Sequence, residues 1–158
     1  MNVSFTLKRD GLADYLQNVA RSLDTRGRRS VLEQMGAELL EITVENFGPE
    51  ENPGRPTNWP PYSPNYKAKY GQPPDLILGR RLINNFRFDR GTDFISLVND
   101  TPYATIQQHG GKGGSGTVPP RPYLPIQGDG ESATLTPYAE RRVVARAEMA
   151  LIRFIKSV

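Results

Sequence analysis

The chain has 158 residues, a formal net charge of +3, no cysteine and a single histidine, His109. Its size suits one domain spanning 1–158 with a core of its own. Disulfides, thiolate metal sites and a polyhistidine metal centre are excluded. No apolar run approaches the ~20 residues that cross a bilayer, and so small a positive charge is ordinary for a soluble domain.

In chain order, Val3, Phe5 and Leu7 alternate with Ser4, Thr6 and Lys8 and predict a short half-buried strand, ended by Asp10-Gly11. Met1 to Thr6 lack the charged-then-apolar layout of a secretory leader, so a cytosolic protein is expected. Leu12, Tyr15, Leu16, Val19, Ala20 and Leu23 fall at helical spacing and predict an amphipathic helix over about 11–23. After a turn at Asp24–Gly27, a longer helix carries Val31, Leu32, Met35, Leu39, Ile42 and Phe47 on one stripe and stops at Gly48-Pro49. Arg21, Arg26, Arg28 and Arg29 cluster between the two helices. Without interleaved aromatics to stack bases, they read as a solvated face rather than a nucleic-acid patch.

Residues 48–75 are rich in glycine and proline and predict a long loop. Trp59, Tyr62, Tyr66 and Tyr70 lie within it, and aromatic rings seek burial. They either pack back onto the domain as anchors or await a partner subunit. Leu78 to Phe86 predicts a short helix with Leu78, Leu82, Ile83 and Phe86 apolar; Phe86–Phe88 and Phe94–Val98 then flank the turn residues 89–93 as a β-hairpin.

The next stretch organises the chain. Pro102 suits a first helical position, Asp100 or Thr101 can cap it, and Tyr103, Ala104 and Ile106 share a face of a helix reaching Gln108. Gly110-Gly111 ends it. Residues 111–118 have almost no side chain to bury and read as a glycine hinge loop that orders against a neighbour. Arg121 to Ile126 reads as an edge strand or extended segment, with Tyr123 and Pro125 on one side and Leu124 and Ile126 on the other. A loop over 127–132 precedes Thr136-Pro137, cap and first-turn proline of the last helix. Ala139, Val143, Ala147, Ala150, Leu151, Phe154 and Ile155 form that helix's apolar stripe, opposite Arg141, Arg142, Arg146, Arg153 and Lys156. The fold class is α+β: two N-terminal helices and a C-terminal helix packed on a small antiparallel β-sheet, with long Pro/Gly-rich loops.

Chemistry-bearing motifs are weak. Gly111 to Gly116 satisfies G-x-G-x-x-G, but a helical turn precedes it and Pro119-Pro120 follow, so no helix N-terminus meets a pyrophosphate. His109 near a helix end reads as structural or interfacial, and Asp89, Asp93, Asp100 and Asp129 as turn residues. Arg121, stiffened by Pro120 and Pro122, either serves an interface or pairs with an internal carboxylate. No active site is expected, nor any cofactor or metal.

The run Pro102-Tyr103-Ala104…His109-Gly110-Gly111, followed by Arg121-Pro122-Tyr123-Leu124, resembles the phage virion morphogenesis family, the Mu-like and tail completion proteins of tailed bacteriophages. Upstream, Trp59-Pro60-Pro61-Tyr62-Ser63 with Tyr66-Lys67 is similar to the family's tryptophan-proline-leucine-serine segment, with Tyr62 in the leucine's place. Leu78-Gly79-Arg80-Arg81-Leu82 is similar to its leucine-threonine-glycine-x-leucine element, with Leu78 in place of threonine. The resemblance implies a phage or prophage assembly protein for tail completion or head–tail joining, working as a homo-oligomer such as a ring beside tail, neck or head proteins. It places the protein in the bacterial host cytoplasm during assembly and then in the virion, without enzymatic, nucleic-acid or membrane activity. The motif residues named above are the implied contact set. The residues alone leave a second reading, a small basic nucleic-acid-binding module or nuclease, whose DNA binding would depend steeply on salt.

Overall fold

A computed structural model describes residues 23–48, 52–71, 80–113, 116–128 and 130–157. The strand expected at 3–7 and, apart from Leu23, the helix expected over 11–23 lie outside them.

Helix α1 (Thr25–Glu45) opens where the Asp24 carboxylate accepts the Gly27 amide at 2.7 Å. Phe47, expected on its stripe, sits beyond the helix end and is buried in the core at 2 % exposure. Residues 48–75 are not wholly a loop: α2 (Pro64–Tyr70) forms there, with the Ser63 hydroxyl accepting the Tyr66 amide and Pro64 in the first turn. Serine before proline is itself a helix start, and it outweighs the surrounding breakers. In the helix expected over 78–86, the described part is α3 (Arg81–Asn84). Phe86 instead begins β1, because pairing with Asn99 draws it into the ladder.

Strand β1 (Phe86–Arg90) pairs antiparallel with β2 (Ile95–Asn99), from Phe86 opposite Asn99 to Arg90 opposite Ile95. The hairpin lies against α1 at Gly36, where a Cβ would stand 2.5 Å from Ile95 Cδ1. Helix α4 (Ala104–His109) starts later than expected. Pro102 lies in the turn before it, Tyr103 holds the cap position, and no side chain caps it. The expected caps are engaged elsewhere: Asp100 with Arg87, and the Thr101 hydroxyl with Asn85.

The segment read as a hinge is a small hairpin of β3 (Gly111–Gly113) and β4 (Gly116–Val118). Residues 121–125 form no strand and bend at Leu124-Pro125 before β5 (Ile126–Gln127), which pairs with β6 (Thr134–Leu135). Tyr123, Leu124, Pro125 and Ile126 are all buried, so both sides of this segment are covered. Among the described residues the single sheet resolves into three separate two-stranded ladders. Pro119, Pro120, Pro122 and Pro125 carry no N–H, so the chain between β4 and β5 cannot join a neighbouring ladder as a regular strand.

Helix α5 (Pro137–Ser157) opens as expected, with Thr136 Oγ1 accepting the Ala139 amide at 3.4 Å. It runs antiparallel along α1. Buried Glu38 receives Arg142 Nε at 2.5 Å and Arg146 Nε at 2.8 Å, while Arg142 also reaches Glu45. Burial works against the charge on Arg142, but hydrogen bonds to Glu45, Tyr138 and Glu38 outweigh it and raise its pKa. The core between helices and ladders is built on Leu39, Ile42, Phe47, Leu82, Tyr123 and Leu135.

Candidate functional site

The motif residues converge on the segment after the β3–β4 hairpin. Gly110, the C-cap of α4, has φ +72, and a Cβ there would stand 2.9 Å from Pro120 Cδ and 3.0 Å from Val118 O. Only glycine allows this turn and this approach. The returning chain is then tied to α4 at Arg121, Tyr123 and Leu124. Arg121 donates its amide to Gln107 O at 2.7 Å, and the Gln108 carboxamide oxygen accepts both the Tyr123 and Leu124 amides at 3.0 Å. The Tyr123 hydroxyl donates to Ala104 O at 3.2 Å, and burial raises its pKa far above the ordinary phenol value.

Around this segment wraps the Pro-rich stretch 52–63. Trp59 packs edge-on to Phe47, with centroids 6.1 Å apart, and donates Nε1 to Pro122 O at 2.8 Å. Arg55 lies 3.9 Å over the Trp59 ring and donates to Asn46 O and Gly48 O, carbonyls of the turn just past the end of α1. Trp59 is therefore an anchor of the domain.

Arg121 is 5 % exposed and donates to Pro60 O at 3.1 Å and to Pro61 O at 3.4 Å, with its guanidinium 4.2 Å from the Tyr62 ring centroid. Main-chain carbonyls and a ring face hold it where the sequence suggested a carboxylate or a neighbour. The two prolines leave both carbonyls pointing at a donor, since neither residue can join a ladder. Beyond Tyr62 the stack continues outward: Tyr62 to Tyr66 at 4.7 Å, nearly parallel, then Tyr66 to Tyr70 at 4.8 Å. Burial, then the neighbouring Tyr62 and Tyr70, raise the Tyr66 pKa. No residue of α2 is buried, Tyr70 is 45 % exposed, and Lys69 Nζ lies 4.9 Å from the Tyr70 centroid.

The structure thus brings together Trp59, Tyr62, Tyr66, Ala104, Gly110, Gly111, Arg121, Pro122, Tyr123 and Leu124. Tyr103 is half-buried against the core and Leu82 is fully buried within it. Lys67 is half-buried on α2, and His109 ends α4 exposed. Gly79 lies outside the described residues. Sequence reasoning missed Asn46, Arg55 and Gln108, polar residues with no motif around them. It also missed the tyrosine ladder, although the four-residue spacing after Ser63-Pro64 was a usable signal. Among the described residues no group of three or more His, Cys, Asp or Glu gathers to hold a metal, and no helix is long and apolar enough to cross a membrane.

No curated protein and no solved structure matches the chain. The model of the phage virion morphogenesis family matches residues 7–141, a span that contains the Trp59 stretch, the α3 element, α4 with its glycine turn, and the Arg121 segment. With most of its length and every part of this assembled site inside that match, the chain belongs to the phage virion morphogenesis family and has a role in phage particle assembly.

Proposed function

We propose that this protein completes the tail or joins it to the head during virion assembly, acting as a homo-oligomer that presents the α2 tyrosine ladder to a neighbouring tail, neck or head subunit. The observation that carries the reading is the ladder itself. Three tyrosines, Tyr62 just before α2 and Tyr66 and Tyr70 on it, form a row along a helix with no buried residue, held to the body at one end by Arg121. Tyrosine offers large contact area for little lost side-chain freedom, and aromatic residues concentrate at the centres of protein interfaces. A fold needs no such row on its outside.

The same geometry speaks against base stacking. Tyr62 and Tyr66 turn their faces to each other, so they do not lie open as a row of separate platforms for successive bases. Replacing Tyr66 and Tyr70 together with alanine is expected to leave thermal unfolding nearly unchanged. In a particle-completion assay the variant leaves heads and tails unjoined. Normal infectious particles from a folded double variant would overturn the reading.

A further inference from the structure

Charge is placed one-sidedly around the tyrosine row. Residues 52–71 contain Arg55, Lys67 and Lys69 and no aspartate or glutamate. Arg55 is buried and engaged by Trp59 and the carbonyls past α1. Neither lysine faces a carboxylate among the described residues, and both stand on a helix with no buried residue. Taking the midline between Tyr66 and Tyr70 as reference, Lys67 stands about 80° to one side, Lys69 about 80° to the other, and Ala68 directly behind. The row is therefore an aromatic strip with one cation along each edge. Lys69 Nζ lies 4.9 Å from the Tyr70 centroid, which keeps its charge beside the strip.

We propose that the ladder seats an acidic surface of a different virion subunit, which lays an apolar strip along the tyrosines and sets a carboxylate against each of Lys67 and Lys69. The inference rests on the ladder being the contact face and adds the chemistry of what it contacts. Charge complementarity selects that occupant: a basic surface would set like charges against both edges, and a neutral one would leave two ammonium groups without partners. A second copy of the chain is a poor match, because its described carboxylates are largely taken. Glu38, Glu41 and Glu45 face Arg142 or Arg146, Asp89 and Asp100 face Arg87, and Asp93 faces Arg28. Cations at the edge of an interface act mainly on encounter, so the partner is drawn in quickly at low salt and slowly at high salt.

The test mixes heads and tails from cells lacking the protein with the purified whole chain and follows the appearance of infectious particles. Replacing Lys67 and Lys69 together with glutamine should slow joining about tenfold at low salt, and the difference from the unchanged chain should vanish near 1 M salt, where charges are screened within about 3 Å. Replacing both with glutamate should slow it further, and replacing both with arginine should recover most of the loss. The melting temperature should stay the same in all three. A glutamine variant that joins at the normal rate overturns the proposal. So does one that melts early, because the lysines would then serve the helix end and its dipole. Failure of this inference is separable from failure of the ladder reading. If the double alanine variant of Tyr66 and Tyr70 blocks joining while the glutamine variant does not, the ladder stands and the acidic partner is wrong; if the alanine variant joins normally, both fall. An NMR titration of the purified chain fixes the class of partner: poly-L-glutamate should shift the Tyr66, Lys67 and Tyr70 resonances, and tighter binding there by a DNA oligonucleotide of equal charge would overturn the proposal.

Discussion

Arg121 shows how a buried cation is held without a carboxylate. Two proline carbonyls and the Tyr62 ring take the place of water, and the same contacts fix the stretch that carries Trp59 and leads into α2. Hydrogen bonds from a charged donor contribute about 1.5–3 kcal/mol each, less here because one of the two is long, so Arg121→Ala should lower stability by about 2–3 kcal/mol. Urea unfolding measures it. Arg121→Lys should recover little, because an ammonium cannot spread donors over two carbonyls and lie flat on a ring at once. Asp100 illustrates a lighter effect. The hydrogen bond from Arg87 lowers its pKa below the usual 3.8, against a smaller opposing effect of desolvation. A depressed folded-state pKa means the contribution is present above the unfolded value and is lost as pH falls through the lower folded one. An NMR titration should place the Asp100 midpoint below 3.8 and return it toward the ordinary value in Arg87→Ala.

Helices α1 and α5 pack antiparallel, and Glu38 is the polar centre of the pair. Its carboxylate is buried between two guanidiniums that keep part of their hydration and also reach Glu41 and Glu45. Breaking a fully buried pair costs about 3–5 kcal/mol, and this partial exposure lowers the figure, so Glu38→Ala should destabilise by about 2–3 kcal/mol. Denaturant midpoints should show it, with little recovery from added salt, since buried pairs are poorly screened. By contrast, the β3–β4 hairpin has three rungs and mostly exposed residues. A two-stranded ladder is marginal by itself, so its position depends on the Gly110 turn and on the ties from α4 to the returning chain.

For the whole molecule, the competing reading of a basic nucleic-acid module makes a clear demand. Phosphate contacts release counterions, so such a protein loses DNA steeply as salt rises. With a net charge of only +3 and the Tyr62 and Tyr66 faces turned to each other, this chain should show no specific DNA retention at physiological salt in a filter or gel-shift assay. Stoichiometric, salt-sensitive binding would reopen that reading.

Much of this was legible in the chain. Helical periodicity located α1 and α5, turn residues located the β1–β2 hairpin, and Thr136-Pro137 marked a helix start, because each depends on neighbours within a few residues. The order of the tryptophan-proline, glycine-leucine, histidine-glycine-glycine and arginine-proline-tyrosine elements was enough for the family. What tertiary structure alone decided involves partners far apart in sequence. It set Arg121 on the carbonyls of Pro60 and Pro61, tied Gln108 to Tyr123 and Leu124, and brought Arg142 to Glu38. A local pattern cannot announce such contacts, because a carbonyl accepts from any donor that the fold brings to it. The buried run Tyr123–Ile126 shows the same limit: its residues are apolar on both sides, but only the fold decides that α4 and the core are what cover them.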